Sequence, residues 1–339
     1  MTTAHSFNAK PDTAMKQPAP EQPQHLLGKH RQWFVEHSMT LGYIILFIAL
    51  SFTVENFFSG TNIIGLMLSV AQIGMVACTM MLCLASRDFD LSIGSTIAFS
   101  GVLGAIILEH TQNVFLAVGG GLVAGALIGA GNGVLIAYLR VNALIATLAT
   151  MLMVRGLAFI VSHGQAVGIA DEGFISFGDG RLFGLPLPVL VTAACFLVFG
   201  VLLNHTVFGR NTLAIGGNPE AAHLAGVKVE RLRVWIFLLQ GLVTALAGLI
   251  LASRITSGQP NSAQGFELDV ISACVLGGVS LQGGKAKIFG VLIGVLIMGT
   301  VENVMNLMDI DAFYQYLMRG LILLVAVLLD QLKTRGQRS

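Results

Sequence analysis

Ten stretches of this chain are apolar over lengths suited to crossing a bilayer, and mostly short loops join them. They run roughly over 39–54, 62–85, 91–109, 114–138, 142–162, 187–203, 234–253, 268–282, 288–308 and 313–330. No water reaches a backbone inside a hydrocarbon layer about 30 Å thick, so each run has to close its own hydrogen bonds as a helix. Several runs are shorter than the ~20 residues a straight crossing takes, a pattern that kinked or broken helices would also produce. The composition agrees: 55% of residues are hydrophobic and 11% charged, against about 25% charged in soluble domains. The expected fold is all-α, an integral membrane protein with about ten transmembrane helices.

The charges orient those helices. Placing the N-terminus in the cytoplasm puts Lys10, Lys16, Lys29, Arg31, Arg87, Arg140, Arg210, Lys228, Arg231, Arg233, Lys285, Lys287, Lys333, Arg335 and Arg338 inside. Only Arg181 and Arg254 fall outside, with Arg155 and Arg319 within spans. Glu55, Glu109, Asp171, Glu172, Asp179, Glu267, Asp269, Asp309 and Asp311 lie at or near the outer face. The positive-inside rule then predicts that both termini are cytoplasmic. Lys and Arg together number 19 against 18 Asp and Glu, a balance that gives no reason to expect nucleic acid as a partner.

Residues 1–38 are polar and rich in Pro and Gln, with no apolar core of the kind a secretory signal carries. They are expected to form a disordered cytoplasmic tail that is not cleaved. A transmembrane domain follows over 39–332, with a cytoplasmic loop at 204–233, and 333–339 make a basic cytoplasmic tail. Cys78, Cys83, Cys195 and Cys274 all sit in apolar runs and read as packing residues. No metal site is expected.

Gly121, Gly125, Gly129 and Gly133 recur every fourth residue, a bare stripe on which another helix can lie closely. Gly290 and Gly294 repeat the device. Arg155, Glu302 and Arg319 are charges inside spans, where they are expected to pair or to line a path. Glu302 and Arg319 fall at similar depth, so an ion pair between them is one reading and a place in the translocation path another. Asp88 and Asp90 read as a polar turn between spans, with Asp90 near a helix start.

Several motifs fail. "GGVSLQGGKAK", 277–287, has Val279 and Ala286 where a phosphate-binding loop needs Gly and Ser or Thr. No G-x-S-x-G elbow or H-E-x-x-H pair occurs. The chain is therefore expected to bind no cofactor of its own and to catalyse no reaction.

One loop is built with unusual care. In "GGNPEAAHLAGV", 216–227, Asn218 suits an N-cap, Pro219 the first turn, Glu220 the positive end of the helix dipole, and Gly226 the stop. So short a helix does not hold alone in water. It needs a surface to rest on, either this protein's own, the lipid surface or another subunit's.

That loop, as "GRNTLAIGGNPEAAHLAGV", resembles the coupling region of permeases of the ribose/arabinose/galactose type in ATP-binding-cassette (ABC) sugar importers. Glu220, Ala221, Ala222 and Gly226 match the E-A-A-x-x-x-G spacing of the helix that docks into an ATPase subunit; His223 and Lys228 depart from the type. "MVACTMMLCLASRDFDLSIGS", "VNALIATLATMLMVRGLAFI", "ASRITSGQPNSAQGFELDVISACVLGGVSLQGG" and "GTVENVMNL" are similar to the same family. The resemblance covers roughly 39–332. It implies a bacterial inner-membrane permease that carries a monosaccharide, L-arabinose before others, into the cytoplasm. It also implies a homodimer, an ABC ATPase subunit holding ATP and Mg, and a periplasmic sugar-binding protein. Asn218, Pro219, Glu220, Ala221, Ala222, Leu224 and Gly226 would form the ATPase-coupling helix, and Gln259 and Pro260 a periplasmic rim. The alternatives are a proton- or sodium-coupled secondary transporter, with Asp88, Asp90 or Glu302 as ion site, and a membrane receptor without transport.

Overall fold

In the computed structural model the described residues are 24–336, with side chains described over 39–331 except 312, 329 and 330. Residues 1–23 of the expected tail and 337–339 lie outside them. The chain divides into two units, Met1–Ser38 and Met39–Ser339. In the first, the backbone of residues 24–38 is helical and opens α1, Gln24–Thr53, inside the segment expected to be disordered.

The second unit is a helical bundle. In chain order come α2 Gly60–Ala85, α3 Ile93–Thr111, α4 Val114–Ala137, α5 Ala143–Val161, α6 Glu172–Asp179, α7 Leu187–His205, α8 Val207–Gly217 and α9 Pro219–Leu224. Then follow α10 Val229–Arg254, α11 Phe266–Leu276, α12 Ile288–Leu307 and α13 Ala312–Gly336. Two small antiparallel pairs complete it: β1 Val167–Gly168 with β4 Ser257–Gly258, and β2 Arg181–Leu182 with β3 Leu185–Pro186. Seven helices among the described residues are long and apolar enough to cross a membrane, and shorter apolar helical stretches cover Met39–Thr53 and Phe313–Leu328.

α2 is the axis of the core. Every residue from Ile73 to Ala85 is buried, the mark of a helix with neighbours on all sides. α4, α5 and α7 instead turn apolar faces outward, through Leu127 and Val134, Leu148 and Leu152, and Leu197 and Val198. Such faces suit lipid.

The glycine stripe of α4 lies on α10. A Cβ on Gly121 would meet Leu249, on Gly125 Ala245 and the carbonyl of Gly241, on Gly129 the backbone of Gly241 and Phe237, and on Gly133 the backbone of Val234. The partners descend α10 as the stripe ascends α4, so the two helices run antiparallel with their backbones touching. Gly290 and Gly294 do the same for α12 against Gly277, just past the end of α11, and Ala273 within it.

The expected span at 268–282 is corrected. α11 has 11 residues, about 16 Å at 1.5 Å per residue, half of a bilayer core. Glycine pairs at 277–278 and 283–284 explain the break: Gly278, Gly283 and Gly284 all have φ near +80°, a region L side chains avoid. The irregular segment 277–287 is tied to the end of α2 by Gly284 N–H donating to Ala85 O at 2.9 Å. Non-helical backbone at this depth survives because protein, not lipid, surrounds it.

Candidate functional site

The bundle has a basic end, carrying Arg87, Arg140, Arg210, Lys228, Arg231, Arg233, Lys285 and Lys287, and an opposite end with a polar chamber. At the basic end Asn218 joins α8 to α9. Its N–H donates to Ala214 O at 3.0 Å, while its Oδ1 accepts from Glu220 N at 3.1 Å and Ala221 N at 3.0 Å. Gly226 at φ +87° reverses the chain, and Val227 N–H donates to Ala222 O at 3.0 Å. Ala222 is the one buried residue of α9, and Leu224 is 87% exposed. The helix thus rests on its own protein through Ala222 and the half-buried Pro219 and presents the rest outward. Immediately before it, a Cβ on Gly216 would overlap Ala85 O and Gly284 N. The end of α8 therefore bears on α2 and on segment 277–287 backbone to backbone, with no side chain between.

Between α2 and α3, residues 86–92 fold back into the protein. Asp90 Oδ1 accepts from Ser92 N–H at 2.9 Å and Ser92 Oγ at 2.5 Å; Asn132 Nδ2 donates to Ser92 Oγ at 3.0 Å, and Thr150 Oγ1 to Asn132 Oδ1 at 2.6 Å. This chain of bonds joins the start of α3 to the last turns of α4 and the middle of α5. Asp88 Oδ2 lies 3.0 Å from Arg233 Nε, an ion pair without hydrogen-bond alignment. Burial pushes the Asp88 carboxyl up to about 6, with Arg233 and Ser86 opposing, and raises Asp90 against its bonds from Ser92.

A pH test follows. The folded protein holds the Asp88 proton up to about pH 6, whereas an unfolded chain releases it near pH ~4. Folding takes up a proton between those values, so stability from this group falls as pH rises through the window. The melting temperature of the wild type relative to Asp88→Asn is expected to decline from pH 4 to pH 6 in detergent. A flat or rising difference contradicts the assignment.

At the opposite end α2, α10, α11, α12, α13 and the loop before α11 line a half-open chamber of about 590 Å³. Arg319 on α13 reaches across it: Nε is 3.3 Å from Asp269 Oδ1 on α11, and Nη2 is 3.5 Å from Glu302 Oε1 on α12. Its guanidinium carbon also lies 5.7 Å from the Tyr316 ring centroid. Arg155 does not join them. Its Nη1 donates to Pro260 O and Ser262 O, each at 2.7 Å, and so fastens the loop after α10. Gln259 Nε2 donates to Ser257 Oγ at 3.2 Å and Pro260 is buried, so of the expected rim pair only Gln259 is partly open to solvent. Asp269, Gln72, Asn261, Gln264 and Tyr316 were not singled out from the sequence as lining residues. The one signal there was Asp269, an acid at the start of the apolar run 268–282.

Residues 62–327 match the family described as "Branched-chain amino acid transport system / permease component". The chain is 56% identical over 304 residues to the L-arabinose transport system permease protein AraH of Escherichia coli, covering 90% of this chain and 93% of that one. It is 53% identical to the L-arabinose ABC transporter permease protein AraH of Azospirillum brasilense, over 88% of each. The ribose import permease protein RbsC of Bacillus subtilis shares 43% identity over 87% of this chain and 92% of its own. No solved structure matches the chain significantly.

Proposed function

Because this chain belongs to the branched-chain amino acid transport system / permease component family, we propose that it is the membrane-spanning subunit of an ABC importer for L-arabinose. The family description names amino acids, but identity of 56% over 90% of the chain to an L-arabinose permease weighs more for the cargo, and that observation carries the reading. It is a multi-pass protein of the bacterial inner membrane. The basic end faces the cytoplasm, in keeping with its arginines and lysines. The apolar helices make ten passages in all, one of them shared between α11 and segment 277–287.

An ABC ATPase subunit holds ATP and Mg and docks on α9, whose exposed Leu224 and capped first turn suit an intersubunit contact. Closure of the ATPases moves α9, and the contact at Gly216 passes that motion to α2 and to segment 277–287. A periplasmic sugar-binding protein delivers sugar at the opposite end, and two copies of the chain form the path. Asp88 and Asp90 are engaged by Arg233 and Ser92, which disfavours a proton- or sodium-coupled transporter.

The test is uptake of labelled L-arabinose in cells lacking their own arabinose transport, supplied with this chain, its ATPase and its binding protein. Uptake is expected to need the ATPase and to continue when a protonophore collapses the proton gradient. Uptake that survives deletion of the ATPase and stops with the protonophore would overturn the proposal.

A further inference from the structure

We infer that the chamber between α2, α10, α11, α12 and α13 is a monosaccharide subsite within the membrane domain. There Asp269, Glu302 and Arg319 exchange their mutual contacts for sugar hydroxyls. The inference rests on the proposed function and adds a binding site to it.

Four features of the chamber carry it. First, Asp269 is only 4% exposed and its Oδ1 is held by Arg319 Nε at 3.3 Å without hydrogen-bond alignment. A buried carboxylate oxygen so weakly engaged is unfavourable in a resting protein, and a hydroxyl that displaces Arg319 from it would complete its hydrogen bonding. Second, the Arg319 contacts at 3.3 and 3.5 Å are longer than the ~2.7–2.9 Å of a good charge-assisted hydrogen bond. The guanidinium is shared loosely between two helices and keeps donors to spare. Third, the charges on the wall balance, Arg254 and Arg319 against Asp269 and Glu302. Such a site has no net charge to collect an ion, but it offers planar acceptors and donors to a neutral polyol. Fourth, the amides of Gln72, Asn261 and Gln264 line the same space and make no hydrogen bond among the described residues, and the Tyr316 ring stands beside Arg319. A pyranose presents hydroxyls around its rim and C–H groups on its faces, and these walls match both.

The placement is mechanically apt. α11 begins at the chamber and ends at segment 277–287, which touches α8 through Gly216. α13 contributes Tyr316 and Arg319 from the other side. A sugar that displaces Arg319 from Asp269 and Glu302 removes the ion pairs that link α13 to α11 and α12.

The complete importer, reconstituted in proteoliposomes with saturating sugar-loaded binding protein, tests this. Asp269→Asn is expected to lower L-arabinose uptake about tenfold, roughly the loss of one hydrogen bond to a charged group. The deficit should shrink for the monodeoxy arabinose that lacks the hydroxyl Asp269 accepts, an outcome that damage to the fold would not produce. Gln72→Ala and Tyr316→Ala, at less buried positions, should lower uptake a few-fold, and they decide the matter if Asp269→Asn does not reach the membrane. Wild-type uptake in all variants, or equal losses for arabinose and every deoxy analogue, would overturn the subsite and leave the importer standing. Failure of the wild type to import any aldopentose or aldohexose would overturn the importer, and the subsite with it.

Discussion

Gly129→Val is expected to leave almost no folded protein in the membrane, while Gly131→Val, two residues along the same helix, leaves the wild-type amount. A Cβ at 129 would overlap the carbonyl of Phe237 and lie 3.0 Å from the Cα and N of Gly241, backbone atoms that cannot rotate aside. At 131 a Cβ would meet nothing within 4 Å. Overpacking a core commonly costs about 1–3 kcal/mol where side chains can shift, and here the whole of α10 would have to move. α10 also packs on α3, where Ala252 and Gly248 meet Gly101 and Ile97, and on α2, where Gln240 meets Cys83, so the displacement spreads. Fluorescence-detected size exclusion of the two variants decides it. Equal profiles would mean that the α4–α10 contact is not as close as described.

Leu224→Asp is expected to abolish sugar uptake without disturbing the fold. The side chain is 87% exposed and supports nothing in this chain, so the melting temperature should not change. A large apolar side chain at the tip of an outward-facing helix fits the anchor of an intersubunit contact, and a carboxylate there would lose its water on docking. Co-purification of the ATPase should fall with uptake, by at least about tenfold, the ratio that ~1.4 kcal/mol brings. Wild-type uptake in Leu224→Asp would remove α9 from the coupling path. Ala222→Asp makes the complementary case: that residue is buried, so its replacement should unseat α9 from its own protein first.

Much of this was legible in the residues. Helix cores in lipid follow from hydropathy alone, because an unpaired backbone is so unfavourable there, and nine of the ten apolar runs are helical over nearly their whole length, although α1 begins well before its run and α13 ends after its own. The turn after α9 was legible too, since Asn218, Pro219 and Gly226 act within a few residues of themselves. The break after α11 was not, though its glycine pairs were in view. A span of 15 apolar residues and an 11-residue helix with an irregular tail have nearly the same hydropathy, and only the neighbours at Ala85 and Gly216 make the irregular form tolerable.

The charges divide the same way. That Arg155, Glu302 and Arg319 must find partners was determined by their position in apolar runs, since isolated charge is expensive in a bilayer. Which partners they found was decided by packing. Arg155 took two carbonyls of the loop at Pro260 and Ser262 rather than an acid. Arg319 found Asp269 as well as Glu302, a residue 50 positions away in sequence that α11 carries inward only because it is short and enters from the loop. By itself the sequence determined that this protein lives in a membrane, and where one capped helix leaves it, because both depend on interactions within a single segment. The chamber needed the tertiary structure, because five helices contribute one or a few side chains each and none carries the pattern alone.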